Sequence, residues 1–197
     1  MTLATAALIA SGIAAGVVFG LLRRASLKLL QVPAIRWAAL GLAGVGAFVY
    51  LALVPTDRAD LYSGLALGAL LVFTLKNVHL VGMPVVAFGL ILNLAGVAIN
   101  QGFSVDQRAA QQAARTGELA ANRHLDDGTD PAWFLGQVVP VEPLREAVSF
   151  GDLISSFGLL NTAYRVVRKR RRPPISLTPS ARAGLTTLAA STRRISD

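Results

Sequence analysis

The chain contains no cysteine, and charged residues make up only 15% of its 197 residues. The absence of cysteine excludes a disulfide framework, a cysteine-ligated zinc site and a cysteine nucleophile. Soluble domains are about 25% charged, so this composition disfavours a single water-soluble domain. Hydrophobic residues reach 53% of the chain, which excludes intrinsic disorder of the whole molecule.

The chain contains several long apolar segments that carry no charge. Uncharged apolar stretches of about 17–25 residues are typical of membrane-spanning helices, and several of them in a short chain leave no polar shell for the core of a soluble protein. We therefore predict an all-α, polytopic membrane protein with about five transmembrane helices and one extracytoplasmic segment. The predicted spans are residues 2–22, 37–54, 61–75, 78–99 and 150–167, and the extracytoplasmic segment is residues 101–149.

The charges of the connecting segments predict how the chain is threaded. The formal net charge is +8, yet residues 101–149 hold four arginines and seven acidic residues. Lys and Arg concentrate on the cytoplasmic side of membrane proteins. Five spans with the N-terminus outside and the C-terminus in the cytoplasm of a bacterial inner membrane satisfy this rule. The alternative is four spans and an interfacial helix, because Asp152, Asn161 and Arg165 interrupt the fifth segment.

The first segment is predicted to be a retained helix, since Arg23 and Arg24 follow its apolar run, whereas the charges of a signal peptide precede it.

Glycines are spaced in the apolar segments as in packed membrane helices, where small residues let two backbones approach closely. The first segment has three glycines at intervals of four, the third has two, and the fourth has two on one face. The predicted helix-packing residues are Gly12, Gly16, Gly20, Gly64, Gly68, Gly89 and Gly96. Whether they face a neighbouring helix or another subunit is left open.

The fourth segment also has a polar stripe. Gly89, Asn93, Gly96 and Asn100 step by four, three and four residues, which places them on one helix face. The asparagines are interpreted as hydrogen-bonding links between helices. The alternative is a polar pocket for a ligand or a proton path, to which Asp152 would contribute a carboxylate. Asp152 or Ser149 is otherwise a cap of the fifth helix.

The extracytoplasmic segment is predicted to start with a short surface helix over residues 104–121, which are rich in Ala, Gln, Arg and Glu. Residues 133–140 are apolar but too short to span, and we predict that they lie at the outer interface of the membrane or dip back toward the helices. Between these stretches, His124 and three neighbouring aspartates raise the alternative of a metal site. Their Asp-Gly and Asp-Pro pairs favour a solvated turn instead, so no metal is predicted.

Residues 168–197 are predicted to be a basic, disordered cytoplasmic tail that follows the membrane domain of residues 1–167. A run of five cations just inside a span is typical of an anchor to anionic lipids. No aromatic residues alternate with these cations, which disfavours a nucleic-acid partner. The predicted lipid-anchoring residues are Arg168, Lys169, Arg170, Arg171 and Arg172.

Several short motifs in the second half resemble an uncharacterised family of small bacterial integral membrane proteins. They are Asn77-x-x-Leu80-x-Gly82, Gly89 with Asn93, Asn100-x-Gly102, Phe134-Leu135-Gly136-x-Val138-Val139-Pro140 and Val148-Ser149-Phe150-Gly151-Asp152. The chain departs from the family pattern at Gln137, where an acid is usual, and at Phe103-Ser104, which replaces a Met-Pro pair. The resemblance implies a fold and a location but no activity.

These patterns favour a non-enzymatic membrane protein that packs with itself or with a membrane-protein partner. No nucleophile elbow, phosphate loop or dinucleotide-binding glycine motif occurs, so we expect no cofactor, and an enzyme is disfavoured. The alternative is a small transporter or channel-like protein. Its candidate binding residues are Asn93, Asn100 and Asp152.

Overall fold

The computed structural model describes residues 3–22, 35–54, 56, 58–113, 123–126 and 128–167. Within these ranges the chain forms six α-helices, four β-strands and two short 3-10 turns. The helices are α1 (Leu3–Leu22), α2 (Ala38–Leu53), α3 (Ala59–Lys76), α4 (Met83–Ile99), α5 (Gln107–Gln112) and α6 (Phe150–Val167). The strands are β1 (Phe103–Val105), β2 (Arg123–Leu125), β3 (Gln137–Val141) and β4 (Glu146–Ser149), and the turns are Trp133–Leu135 and Glu142–Leu144.

Five of the helices form a row in which α1 packs on α6, α6 on α4, α4 on α3, and α3 on α2. Helix α4 leads into the sheet and α6 leaves it, so these two run in opposite directions. Helix α1 is parallel to α6, because Gly12 faces Ser156 while Gly20 faces Val167. The helical row therefore has one end at the sheet and one end away from it.

The sheet is mixed and has the strand order β2-β1-β3-β4. Strand β1 pairs in parallel with β2 and β3, and β3 pairs antiparallel with β4. Val105, Gln137 and Ser149 lie opposite one another on three adjacent strands. Helix α5 packs on β3 and β4, and its Ala109 and Ala110 form a small core with Val105 and Ala147.

The prediction of an all-α fold is wrong, because residues 101–149 contain this four-stranded sheet and the protein is an α/β protein. Residues 133–140, for which no secondary structure was predicted, form a 3-10 turn and most of β3. In the described part of the predicted helix over residues 104–121, α5 forms at Gln107–Gln112 and follows the end of β1; residues 114–121 lie outside the described residues. Strands β1 and β2 have three residues each, too few to show the alternation that identifies a strand.

The prediction of about five transmembrane helices is also wrong. In the part of the chain that the structure describes, only Ala59–Lys76 is long and apolar enough to cross a membrane. The other apolar helical stretches, Leu8–Leu22, Ala38–Leu51 and Met83–Ile99, are shorter. Helix α6 is too polar, since its 18 residues include Asp152, two serines, Asn161 and Arg165.

Candidate functional site

A buried polar cluster lies where α4 and α6 meet the sheet. The side-chain amide of Asn93 donates from Nδ2 to Oδ1 of Asp152 at 2.9 Å, and the hydroxyl of Ser149 donates to Oδ1 of Asn93 at 2.7 Å. All three residues are at most 7% exposed. Buried polar groups are costly unless they are paired, so the mutual pairing of these three side chains holds α4, β4 and α6 in one arrangement.

Ser149 and Asp152 also cap the start of α6. The backbone N–H of Asp152 donates to Oγ of Ser149 at 3.0 Å, and the N–H of Ser149 donates to Oδ2 of Asp152 at 3.2 Å. This reciprocal pair is a capping box, which satisfies two otherwise unpaired N–H groups of a helix. Asp152 therefore serves both the helix terminus and the side chain of Asn93.

Glycines make room for the cluster. A Cβ atom at Gly151 would overlap the amide of Asn93, and a Cβ atom at Gly89 would overlap Ser155. The backbones of α4 and α6 approach closely at these positions, and Asn93 reaches Asp152 for that reason. The four-residue spacing of Gly89 and Asn93 thus places the close contact with α6 and the hydrogen bond to Asp152 on the same face of α4.

A cavity of about 50 Å³ borders the cluster and continues between the helices. Arg123, on β2, lines it, and its guanidinium Nη1 donates to Oε2 of Glu146 at 3.3 Å while its side chain is 2% exposed. A buried charge requires such pairing. The other polar residues of the wall are Asn93, Gln137, Asp152 and Ser155, and the apolar ones are Ile9, Phe48, Leu67, Leu70, Leu90 and Phe103.

Two polar atoms on the cavity wall, Oε1 of Gln137 and Oγ of Ser155, are buried and hydrogen-bond to no group among the described residues. Most buried polar atoms in proteins are paired with protein groups or ordered water. A cavity can hold a water molecule if its volume is at least roughly 10–15 Å³ and polar groups line it. We therefore predict that ordered water fills the polar part of this cavity.

Replacing Ser155 with alanine tests this hydration. If water bonds to Oγ, the substitution removes that hydrogen bond, and the free energy of unfolding is expected to fall by about 1 kcal/mol. Ser156→Ala is the matched control, because Oγ of Ser156 is likewise buried without a partner in the described part but does not line the cavity. Thermal unfolding under one set of solution conditions is the measurement, and a Ser155→Ala variant as stable as Ser156→Ala would contradict the prediction.

Asn100 is separate from this cluster. Its Nδ2 donates to the carbonyl oxygen of Ala132 and its Oδ1 accepts from the N–H of Ala132, both at 3.0 Å. The side chain therefore pairs with both backbone groups of Ala132, just before the first 3-10 turn, as a neighbouring β-strand would. Of the three candidate binding residues, the structure brings together Asn93 and Asp152 and places Asn100 elsewhere.

Asn77 repeats this role at the end of the helical row away from the sheet. It is fully buried, its Oδ1 accepts from the N–H of Arg36 at 2.8 Å, and its Nδ2 donates to the carbonyl oxygens of Arg36 and Phe73. The side-chain amide thus ties the start of α2 to the end of α3. This role of Asn77 was not predicted from the sequence, since nothing local indicates a partner 41 residues away.

A second polar group lies at the β2 edge of the sheet. Nε2 of His124 is 2.9 Å from Oδ2 of Asp130, and the hydroxyl of Ser104 donates to the same carboxylate. The carboxylate stands between the serine and the histidine, so the histidine is not placed to take the proton of the hydroxyl, as nucleophilic catalysis requires. Asp126 accepts from the N–H of Gly128 at 2.8 Å in a turn. No cluster among the described residues has the three His, Asp or Glu groups suited to a metal ion.

The glycines of α1 lie against α6. A Cβ atom at Gly12 would be 2.7 Å from the carbonyl oxygen of Ser156, one at Gly16 would overlap the carbonyl oxygen of Leu160, and one at Gly20 would overlap Val167. This glycine face of α1 therefore packs against another helix of the same chain.

The remaining glycines differ. A Cβ atom at Gly96 would be 3.1 Å from the carbonyl oxygen of Leu135, whereas one at Gly64 or Gly68 would meet no atom within 4 Å. The small face of α3 is thus open in the described part of the molecule. The five predicted lipid-anchoring residues, 168–172, lie outside the described residues.

Fold and site together define a class of α/β protein in which a small mixed sheet covers one end of a row of apolar helices and is linked to them by buried asparagines. The chain matches the family DUF5317, a family of unknown function, over residues 26–164. The match covers more than half of the chain, so the protein belongs to this family. The prediction of an uncharacterised family is thereby confirmed. No curated protein and no solved structure matches the chain.

Proposed function

We propose that the protein is a non-enzymatic membrane protein that associates with a second copy of itself through α3. The observation that carries the membrane part of the proposal is the large apolar surface on the helices. Leu22, Leu42, Leu65 and Phe157, on four different helices, are 61–74% exposed. Monomeric soluble proteins rarely expose continuous apolar patches larger than a few hundred Å², so lipid is the environment that this surface fits.

Tryptophan side chains at both ends of the helices support contact with lipid. The ring of Trp37 lies under Nζ of Lys76, which is 5.2 Å from the ring centroid, at the end away from the sheet. Trp133 and Phe134 form an edge-to-face pair at the sheet end. The 18 residues of α3 span about 27 Å at a rise of about 1.5 Å per residue, close to the hydrocarbon thickness of about 30 Å. Tryptophan is typical of the two interfaces of a bilayer.

The proposal places the protein in the bacterial inner membrane, with the sheet outside and the opposite end in the cytoplasm. Lys76 ends α3, and the run Arg168–Arg172 follows α6 in the sequence. These cations support the orientation, because Lys and Arg favour the cytoplasmic side.

A transporter has less support. Both polar atoms of the Asn100 amide are hydrogen-bonded to the backbone of Ala132, and the cavity between Asn93 and Asn100 measures about 10 Å³. A transport site requires polar groups that a solute can reach. Asn93 instead binds Asp152 and Ser149, and Asn100 binds Ala132.

The partner is proposed to be a second copy because the exposed face of α3 has both protruding leucines and glycines with open space beside them. Leu61 and Leu65 are more than half exposed, and Gly64 and Gly68 lie beside them with open space. Leu65 borders two apolar grooves of about 530 and 430 Å³, one toward α2 and one toward α4. A face with both features can pack on itself about a twofold axis, and small residues allow the close approach.

A single introduced cysteine tests both parts of the proposal, since the chain has none of its own. Leu65→Cys is expected to remain in membranes after an alkaline wash and to form a dimer with a short bis-maleimide. Phe157→Cys, an equally exposed apolar position on α6, is the control and is expected to stay monomeric. Loss from the washed membranes would overturn the membrane assignment. Retention with no dimer, or with equal dimer at both positions, would overturn self-association through α3.

A further inference from the structure

In the part of the chain that the structure describes, the end of the helical row away from the sheet carries exposed basic side chains and no acidic ones. Its exposed basic side chains are Arg36 before α2, Lys76 at the end of α3, His79 in the turn to α4 and Arg165 in the last turn of α6. We call this surface the basic end. The described acidic residues lie at the sheet end instead: Asp60, Asp106, Asp126, Asp130, Glu142, Glu146 and Asp152.

The backbone fixes part of this surface. Asn77 binds both the N–H and the carbonyl of Arg36, and the next residue, Trp37, has φ of +58°, a left-handed conformation. Such a conformation is rare for a bulky residue and persists only where neighbouring contacts hold it. The contact between the Trp37 ring and Lys76 then sets two cations and one aromatic ring side by side.

Helix α6 brings a third cation to the same end. Oγ1 of Thr162 donates to the carbonyl oxygen of Val81 at 3.1 Å, so the last turns of α6 lie beside the turn between α3 and α4. Arg165 follows Thr162 by three residues and is exposed. Cations from three separate parts of the chain therefore converge on one end.

We propose that the basic end binds the phosphate headgroups of anionic lipids, an inference that rests on the proposed membrane function. Guanidinium groups bind phosphate through paired hydrogen bonds, and an ammonium group beside a tryptophan ring suits the depth at which headgroups meet acyl chains. The cations act together because no acidic side chain of the described region competes with phosphate at this end.

The test uses the full-length protein in detergent with phosphatidylglycerol and phosphatidylcholine, and counts bound lipids by native mass spectrometry. The triple variant Arg36→Gln, Lys76→Gln and Arg165→Gln is expected to weaken phosphatidylglycerol binding about a hundredfold, since each cation near an anionic surface contributes about fivefold. Its phosphatidylcholine binding is expected to stay unchanged. The matched control is the triple variant Arg58→Gln, Arg108→Gln and Arg145→Gln, which removes the same charge from exposed positions at the sheet end.

The outcomes separate this proposal from the proposed function. Equal losses in the two triple variants would show an effect of net charge and would overturn the basic end as a lipid site. Equal binding of the two lipids by the wild-type protein would overturn it as well. Binding of neither lipid would overturn the membrane function on which the inference rests.

Discussion

Alanine at Gly16 is expected to lower the free energy of unfolding by about 3 kcal/mol, at the upper end for overpacked sites. The added Cβ would overlap the backbone carbonyl oxygen of Leu160 on α6. A side chain can rotate away from such an overlap, but a helical carbonyl cannot, so α1 and α6 must separate. Their contact is the most extensive between any two elements described, which makes this separation costly.

Alanine at Gly46, on α2 rather than on the proposed α3 face, is the control and is expected to have the opposite sign. No atom lies within 4 Å of the added Cβ, and alanine is favoured over glycine inside a helix by up to about 1 kcal/mol. Thermal unfolding of both variants, measured in one detergent at one protein concentration, checks the pair. Similar shifts of the two melting temperatures in either direction would contradict the packing of α1 on α6.

The apolar helices could be predicted closely from the sequence, because long uncharged runs bounded by charged residues or proline identify them without knowledge of the fold. The prediction began the third segment at residue 61, whereas α3 begins at Ala59. Asp60 was excluded as a charge, yet an acid in the first turn suits the positive end of the helix dipole. The positions of these helices were predicted closely. Their assignment as membrane spans was wrong because three of them are too short and α6 is too polar.

The sheet could not be predicted because its order depends on pairing between distant segments. Strand β1 lies between β2 and β3, and a strand of three residues contains too little pattern to reveal its partners. The alanine- and glutamine-rich composition after Ser104 favours helix locally, and α5 does form there. Local propensity was therefore informative for α5 and misleading for Ser104 and Val105, which belong to β1.

The site could be predicted in part. The stripe on α4 identified Asn93, and the start of α6 identified Asp152 as a polar group near a helix end, but their hydrogen bond joins residues 59 positions apart. Arg123 and Gln137 were missed because they are isolated polar residues on short strands. Their burial under the sheet follows from the register of β1 with β2 and β3, which no local signal specifies.

The link between Asn93 and Asp152 leads to the second large effect. Asp152→Ala is expected to lower the free energy of unfolding by about 3 kcal/mol, because two buried donors, Nδ2 of Asn93 and the N–H of Ser149, lose the acceptor that they share, and each unpaired buried donor costs about 1–3 kcal/mol. Asp106→Ala is the control: Asp106 caps α5 by accepting from the N–H of Ala109, and loss of an ordinary cap costs about 1 kcal/mol.

Adding Asn93→Ala to Asp152→Ala is expected to destabilise the protein by less than Asn93→Ala alone, because the amide left without an acceptor is then removed. Chemical unfolding of the two single variants and the double variant measures this coupling. Additive losses, or equal losses for Asp152→Ala and Asp106→Ala, would show that Asp152 acts only as a helix cap. A clear coupling would show that the buried cluster joins α4 to α6 beneath the sheet, so that the sheet and the helical row unfold together.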